Sequence, residues 1–230
     1  MSYDAQPGSE LPSAAGRPDP KPASIGETTI VPFTAERVAA VARLHRTAFS
    51  AAMGAHLGSG YVRALVNWFR QADGAINLIA IDSTDRVMGY ALGAPRGYTR
   101  VRNRHLLLPA AVGLLLHPGL FLDARFRHEL RSPFRMLAGR AAPRTDEPTL
   151  PAPTLSLAAI GVDPAAQGRG IGALLLTQFE QHARARQMRS MRLVVYAHNT
   201  AARRLYEKCG WEACGPRDER HDTVLYAKTL

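Results

Sequence analysis

The feature that most constrains this chain is a junction. The apolar run 155–162 reads as a buried strand, Asp163 and Pro164 end it, and a glycine-rich turn follows at 167–172. The turn opens into a helix over 171–186, with Ile171, Leu174, Leu175, Phe179 and Ala183 on one face. A strand, a glycine-rich turn and a helix in immediate succession form an anion site. Glycines bring backbone N–H groups close to a ligand without Cβ obstruction, and the helix adds its unpaired N–H groups and its positive dipole end.

Two familiar phosphate-binding motifs do not match. The glycines fall at 168, 170 and 172, whereas a dinucleotide-binding turn places its third glycine one position later. The next strand, 191–197, ends in His198 and Asn199 rather than in an acidic ribose ligand. A nucleotide P-loop needs Gly-Lys-Ser or Gly-Lys-Thr, which the turn lacks.

The residues Gln167, Gly168, Arg169, Gly170, Ile171 and Gly172 resemble the pyrophosphate loop of the GCN5-related N-acetyltransferase (GNAT) superfamily. That loop reads Gln or Arg, two residues, Gly, one residue, then Gly or Ala. Downstream, Asn199 begins a helical stretch that ends in Tyr206, Glu207, Lys208, Cys209, Gly210 and Trp211, which resembles the family's second signature. The resemblance covers 155–215 by motif and 28–94 by the order of strands and helices.

The resemblance implies a mixed α/β fold (α+β), with a mostly antiparallel sheet of six to seven strands flanked by helices and a basic helical insertion. It implies an N-acetyltransferase that moves an acetyl group from acetyl-CoA directly to a primary amine of a small molecule. The cofactor-binding residues it implies are Ile160, Val162, Gln167, Gly168, Arg169, Gly170, Ile171, Gly172, Ala173 and Asn199. Pantetheine would lie along Ile160 and Val162 as an added strand. The N–H near Ile160 would polarise the thioester carbonyl. Tyr206 is the implied catalytic acid, protonating the departing thiolate. No general base emerges: 155–162 holds no Asp or Glu, and Ser156 is its only hydrogen-bonding side chain. His45, His56 and Glu36 in the early helices remain candidates, beside a water chain or a group in 95–153.

Elsewhere the pattern predicts a strand at 28–33 and a helix capped by Thr34. A second helix is predicted at 61–72, and a hairpin from 75–81 and 87–94. A strand pair at 211–215 and 223–228 closes the chain. Residues 1–27 read as a disordered tail without a signal peptide, and 28–230 as one domain. Within it, 95–153 stands apart, with ten arginines between 96 and 144 and repeated prolines. Two or three short basic helices are expected there, acting as an insertion or lid. The apolar run 106–122 reads as a buried or lid-forming helical pair, too short to span a membrane.

The formal charge of +10 is almost all arginine, with lysine only at 21, 208 and 228. Arginine suits bidentate capture of phosphate or carboxylate. The acceptor is therefore expected to be an amino sugar, a nucleotide-linked sugar or another anionic metabolite. The alternative is a basic nucleic-acid-binding or membrane-surface module built on the same fold. Sparse aromatics in the basic segment argue against base stacking, so neither nucleic acid nor a membrane is the expected partner. A homodimer is compatible with the sequence. Cys209 and Cys214 fit neither a zinc site nor a disulfide framework, so no metal is expected and the thiols suggest a cytoplasmic location.

Overall fold

The computed structural model describes residues 20, 22–49, 56–122, 149–214 and 222–230. Its strands are β1 (Ser24–Ile25), β2 (Thr28–Pro32), β3 (Ile76–Ile81), β4 (Val87–Pro95), β5 (Thr154–Val162), β6 (Ser190–Tyr196), β7 (Glu212–Ala213) and β8 (Thr223–Thr229). They form one eight-stranded sheet in the order β1-β2-β3-β4-β5-β6-β8-β7. Every pairing is antiparallel except that of β5 with β6. The extra strand relative to the expected six to seven is β1. It lies within the stretch expected as a tail, and its register with β2 is Ser24↔Thr29 and Ile25↔Thr28. Residues 1–19 lie outside the described residues.

The helices are α1 (Val38–Ala48), α2 (Gly58–Gln71), α3 (Tyr98–Leu116), α4 (Ile171–Ala185) and α5 (Thr200–Lys208). The sheet is covered on both faces, as the alternation of side chains requires. Val41, Ala42 and Leu44 of α1 and Val62, Val66 and Phe69 of α2 pack with Tyr90 and Leu92 on one face. Ile171, Leu175, Leu176, Phe179 and Ala183 of α4 pack with Ala91, Leu157 and Met191 on the other. β4 runs between these cores, which is why its residues are apolar on both sides and buried from Val87 to Ala94. Thr34 makes no side-chain cap, contrary to expectation; a short 3-10 turn, Ala35–Arg37, leads into α1 instead. α2 starts at Gly58, three residues before the expected start.

The segment after β4 departs most from the sequence reading. Tyr98–Leu116 is one helix of 19 residues that continues through Pro109. Proline there removes one hydrogen bond to the carbonyl four residues earlier, that of His105. His105 is exposed, so water can satisfy that carbonyl. α3 packs along α2. Leu57 O lies 2.5 Å from where a Cβ on Gly113 would stand, and the His117 ring sits 2.9 Å from that of Gly58. Only Leu106 and Gly113 of α3 are buried. The rest of the expected insertion, 123–148, lies outside the described residues.

At the centre of the sheet, β4 has no room for a side chain at Gly93. A Cβ there would stand 2.3 Å from Phe179 Cζ and 2.8 Å from the backbone oxygen of Ser156. Gly93→Ala is therefore expected to lower stability by about 1–3 kcal/mol through overpacking. Urea denaturation should show a lower midpoint with an unchanged slope.

Candidate active site

The site is organised by the parting of two strands. β5 and β6 pair in parallel only over Thr154↔Ser190, Leu155↔Met191 and Ser156↔Arg192. Beyond Ser156 they separate, while β5 stays paired with β4 to Val162 and β6 stays paired with β8 to Tyr196. The β4–β5 register shifts between Leu92 and Gly93, which pair with Ala159 and Leu157, so Ala158 is an extra residue in β5.

The hydrogen-bond pattern fixes what faces the opening. Asp163 N donates to Met88 O at 2.8 Å, so that pair is hydrogen-bonded across the strands, as alternate pairs of a ladder are. That alternation assigns Tyr90↔Gly161 and Leu92↔Ala159 to the bonded class. The N–H and C=O groups of Ile160 and Val162 then point away from β4, toward the opening. One of them is engaged: Val162 O accepts a hydrogen bond from Gln167 Nε2 at 3.3 Å.

The loop beyond β5 leads through a short 3-10 turn and the glycine turn into α4. Asp163 caps a short 3-10 turn by accepting from Ala165 N at 3.0 Å, and Arg86 holds its carboxylate at 2.7 Å. The backbone hydrogen bond from Ala165, followed by that from Arg86, keeps its pKa below the ordinary carboxylate value. Gly170 is the N-cap of α4 with φ +81°, a conformation that disfavours any side chain, and no side chain caps the helix. The first intrahelical bond runs from Leu174 N to Gly170 O, 3.0 Å. The N–H groups of Ile171, Gly172 and Ala173 therefore have no partner within the helix. Gly172 lies against α5, where its Cβ would stand 3.0 Å from Leu205 Cδ2. Gly168 and Arg169 are exposed.

Asn199 caps α5, its side-chain oxygen accepting from Ala202 N at 3.1 Å. Tyr206 is 6% exposed and lies between Trp211 and Tyr226, with ring centroids 6.2 and 5.9 Å away. Burial pushes its pKa up to about 12, so its hydroxyl keeps its proton at neutral pH.

The sequence reading passed over Tyr90, a tyrosine in an otherwise apolar strand. It is fully buried, and its hydroxyl lies 2.7 Å from His45 Nδ1. Burial, then the nearby Tyr206, raises its pKa well above the ordinary value. Its ring fills the space beside Gly161, where a Cβ would stand 2.7 Å from Tyr90 Cε1 and 3.0 Å from its Oη. His45 also stacks on Phe49 at 4.8 Å, and burial lowers its pKa to about 4. Of the other base candidates, His56 is exposed, two residues before α2 begins. Glu36 lines a separate cleft of about 770 Å³ with Arg37, Arg43, Arg86, Asp85 and Asp163. In that cleft Arg37 pairs with Asp85, and Arg86 with Asp163. The cleft shares no residue with the glycine turn at 168–172 or with β6. Among the described residues no group of three or more His, Cys, Asp or Glu gathers as a metal set.

Comparison with known proteins agrees with this geometry. Residues 135–211 match the acetyltransferase (GNAT) family. Over 89 residues the chain is 36% identical to a mycothiol acetyltransferase of Rhodococcus erythropolis, covering 39% of this chain and 26% of that one. It spans 15% and 20% of two further mycothiol acetyltransferases, from Streptosporangium roseum and Nocardia farcinica. The fold is similar to that of a GCN5-related N-acetyltransferase from Kribbella flavida, with a TM-score of 0.58 at 17% identity over 89% of this chain and 98% of that one. It is also similar to an acetyltransferase from Salmonella typhimurium solved with its cofactor acetyl-CoA, with a TM-score of 0.55 at 18% identity over 89% and 95% of the two chains. The stretch that matches the acetyltransferase (GNAT) family, 135–211, holds β5, the glycine turn, α4 and α5, and the fold as a whole is similar to that of solved GCN5-related N-acetyltransferases.

Proposed function

We propose that this protein is an acetyl-CoA-dependent N-acetyltransferase that transfers an acetyl group directly to a primary amine of a small molecule. The observation that carries the reading is the opening between β5 and β6, which leaves main-chain groups of Ile160 and Val162 unpaired by any strand among the described residues and ends at the mouth of α4, where no side chain caps the helix. Those residues fit coenzyme A. Gln167, Gly168, Arg169, Gly170, Ile171, Gly172 and Ala173 would hold its diphosphate, through N–H groups and the Arg169 charge. Ile160 and Val162 would pair with the pantetheine arm, and Asn199 would contact it from the start of α5. When bound, acetyl-CoA supplies the acetyl group as an activated thioester.

The chain's own residues orient and protonate. The Ile160 N–H faces the opening and is the donor available to a carbonyl oxygen there. Tyr206 Oη holds a proton that it can deliver to a sulfur leaving the opening. Holding donor and acceptor in one cleft supplies much of the remaining acceleration. Burial keeps His45 neutral but also makes it a weak proton acceptor, so the amine's proton leaves by water in this reading. A small-molecule acceptor is supported by the relatives' name, which joins acetyl transfer to mycothiol. An anionic acceptor, such as an amino sugar or a nucleotide-linked sugar, is supported by the formal charge of +10, which is almost all arginine.

Thiol release from acetyl-CoA, assayed across a panel of amines, tests the activity. Coenzyme A at about a hundred times its Kd should stabilise the protein by about 2.7 kcal/mol, raising Tm by roughly 5–10 °C. Gly170→Val should lose most of that ligand-induced shift, and neither thiol release nor a shift in the wild type would sink the reading. Tyr206→Phe should lower turnover about a hundredfold with little change in coenzyme A affinity; an unchanged rate would assign Tyr206 to packing. The folded pKa of His45 lies below its unfolded value near 6.5, so below that pH the unfolded chain binds a proton that the folded chain does not. Stability therefore falls as pH drops from 6.5 toward 4, with about 3 kcal/mol attributable to this group. His45→Gln should flatten that part of the urea-midpoint profile.

A further inference from the structure

Large apolar side chains on the surface are concentrated on one helix. Among the described residues nine are exposed, and six of these lie on α3: Val101, Leu107, Leu108, Val112, Leu115 and Leu116. Leu108, Leu115 and Leu116 are 74%, 81% and 71% exposed, so they contribute almost nothing to this protein's core. At helical spacing Val101, Leu108, Val112 and Leu115 fall on one side, opposite the buried Leu106 and Gly113 that hold α3 to the domain. Solvent-exposed apolar patches of this kind mark contact surfaces.

The charges of α3 are sorted along its axis. Arg100, Arg102 and Arg104 lie in its first half, and residues 98–116 contain no Asp or Glu. Arg100 and Arg104 are exposed and border the apolar side. The second half, from Leu106 to Leu116, carries no charge. Over Leu108 to Leu116 the helix rises about 12 Å. An interfacial helix lies in the plane of the bilayer with its apolar face buried roughly 5–10 Å, so this length runs along the surface. No helix among the described residues is long and apolar enough to cross a membrane.

Three occupants fit an apolar helix face, and charge decides among them. A second copy would set another chain of formal charge +10 against this one. The chain's own residues 123–148 carry six arginines against four acidic residues, so they too are net cationic. An anionic lipid surface is attracted by both the arginines and the overall charge of +10. We propose that α3 is a membrane-contact helix: Leu108, Val112, Leu115 and Leu116 enter the interfacial layer of an anionic bilayer while Arg100 and Arg104 meet headgroup phosphates.

Cosedimentation of the full chain with vesicles tests this, comparing equimolar phosphatidylglycerol and phosphatidylcholine with phosphatidylcholine alone. The wild type should bind the anionic vesicles and lose them as salt is raised. Arg100→Gln with Arg104→Gln should weaken partitioning about thirtyfold, at about 1 kcal/mol per cationic residue. Leu108→Ser with Leu115→Ser should weaken it at least about tenfold, with an unchanged thermal transition as the check on folding. If that variant does not fold, Leu115→Trp replaces it, and its emission should shift to the blue on anionic vesicles. Absence of wild-type binding at low salt would overturn the proposal. So would undiminished binding of the leucine variant, an unshifted Leu115→Trp spectrum, or a wild-type dimer that the leucine substitutions dissociate.

Discussion

β5 is bonded along one edge and released along the other, and the arrangement at the candidate site depends on that asymmetry. Pairing with β4 is continuous to Val162 apart from the extra residue Ala158, so the strand cannot drift. Pairing with β6 stops at Ser156, because β6 is held to β8 through Tyr196 and follows that partner instead. The alternation of an antiparallel ladder then decides which amides face the gap.

The glycine turn was legible in the sequence because its chemistry is local. Gly170 needs a left-handed backbone, and the helix begins directly after it, so the turn and the start of α4 can be read from a few consecutive residues. The strands and most helices were legible for a similar reason, since apolar periodicity records which side of an element is covered. The fate of the β5 edge was not written in β5. It depends on the register with β4 and on the competing pull of β8, which are properties of chain segments far apart in sequence. The continuity of α3 was missed because Pro109 and Gly113 normally read as breaks. Here the carbonyl freed by Pro109 belongs to an exposed turn, and Gly113 is required by the approach of Leu57. Tyr90 was missed because a strand buried on both faces gives no sign of which polar atom finds a partner.

Two of the three tyrosines buried among the described residues, Tyr90 and Tyr206, show how one residue type takes two environments. Tyr90 spends its hydroxyl on His45 and its ring on the space beside Gly161, which ties α1, β4 and β5 together beneath the opening. Tyr206 packs among Trp211 and Tyr226. Its neighbour Tyr226 donates to Glu207 at 2.5 Å and accepts from Arg203 at 3.1 Å, so α5 is pinned to β8 by polar contacts at that face. Rigid support under a site matters because a displacement of about 1 Å is costly to a reacting geometry.

An unpaired strand edge is ordinarily a hazard, since it templates the addition of strands from other molecules. In this domain the free edge of β5 is not at the rim of the sheet: β6, β8 and β7 stand beyond it, and the two walls of the gap converge on the pairs at Thr154 to Ser156. A wedge closed at one end excludes the edge of another folded sheet and admits only a slender, flexible chain. The shape that exposes these amides thus also guards them against aggregation, with no need for the charges or prolines that usually protect a bare strand.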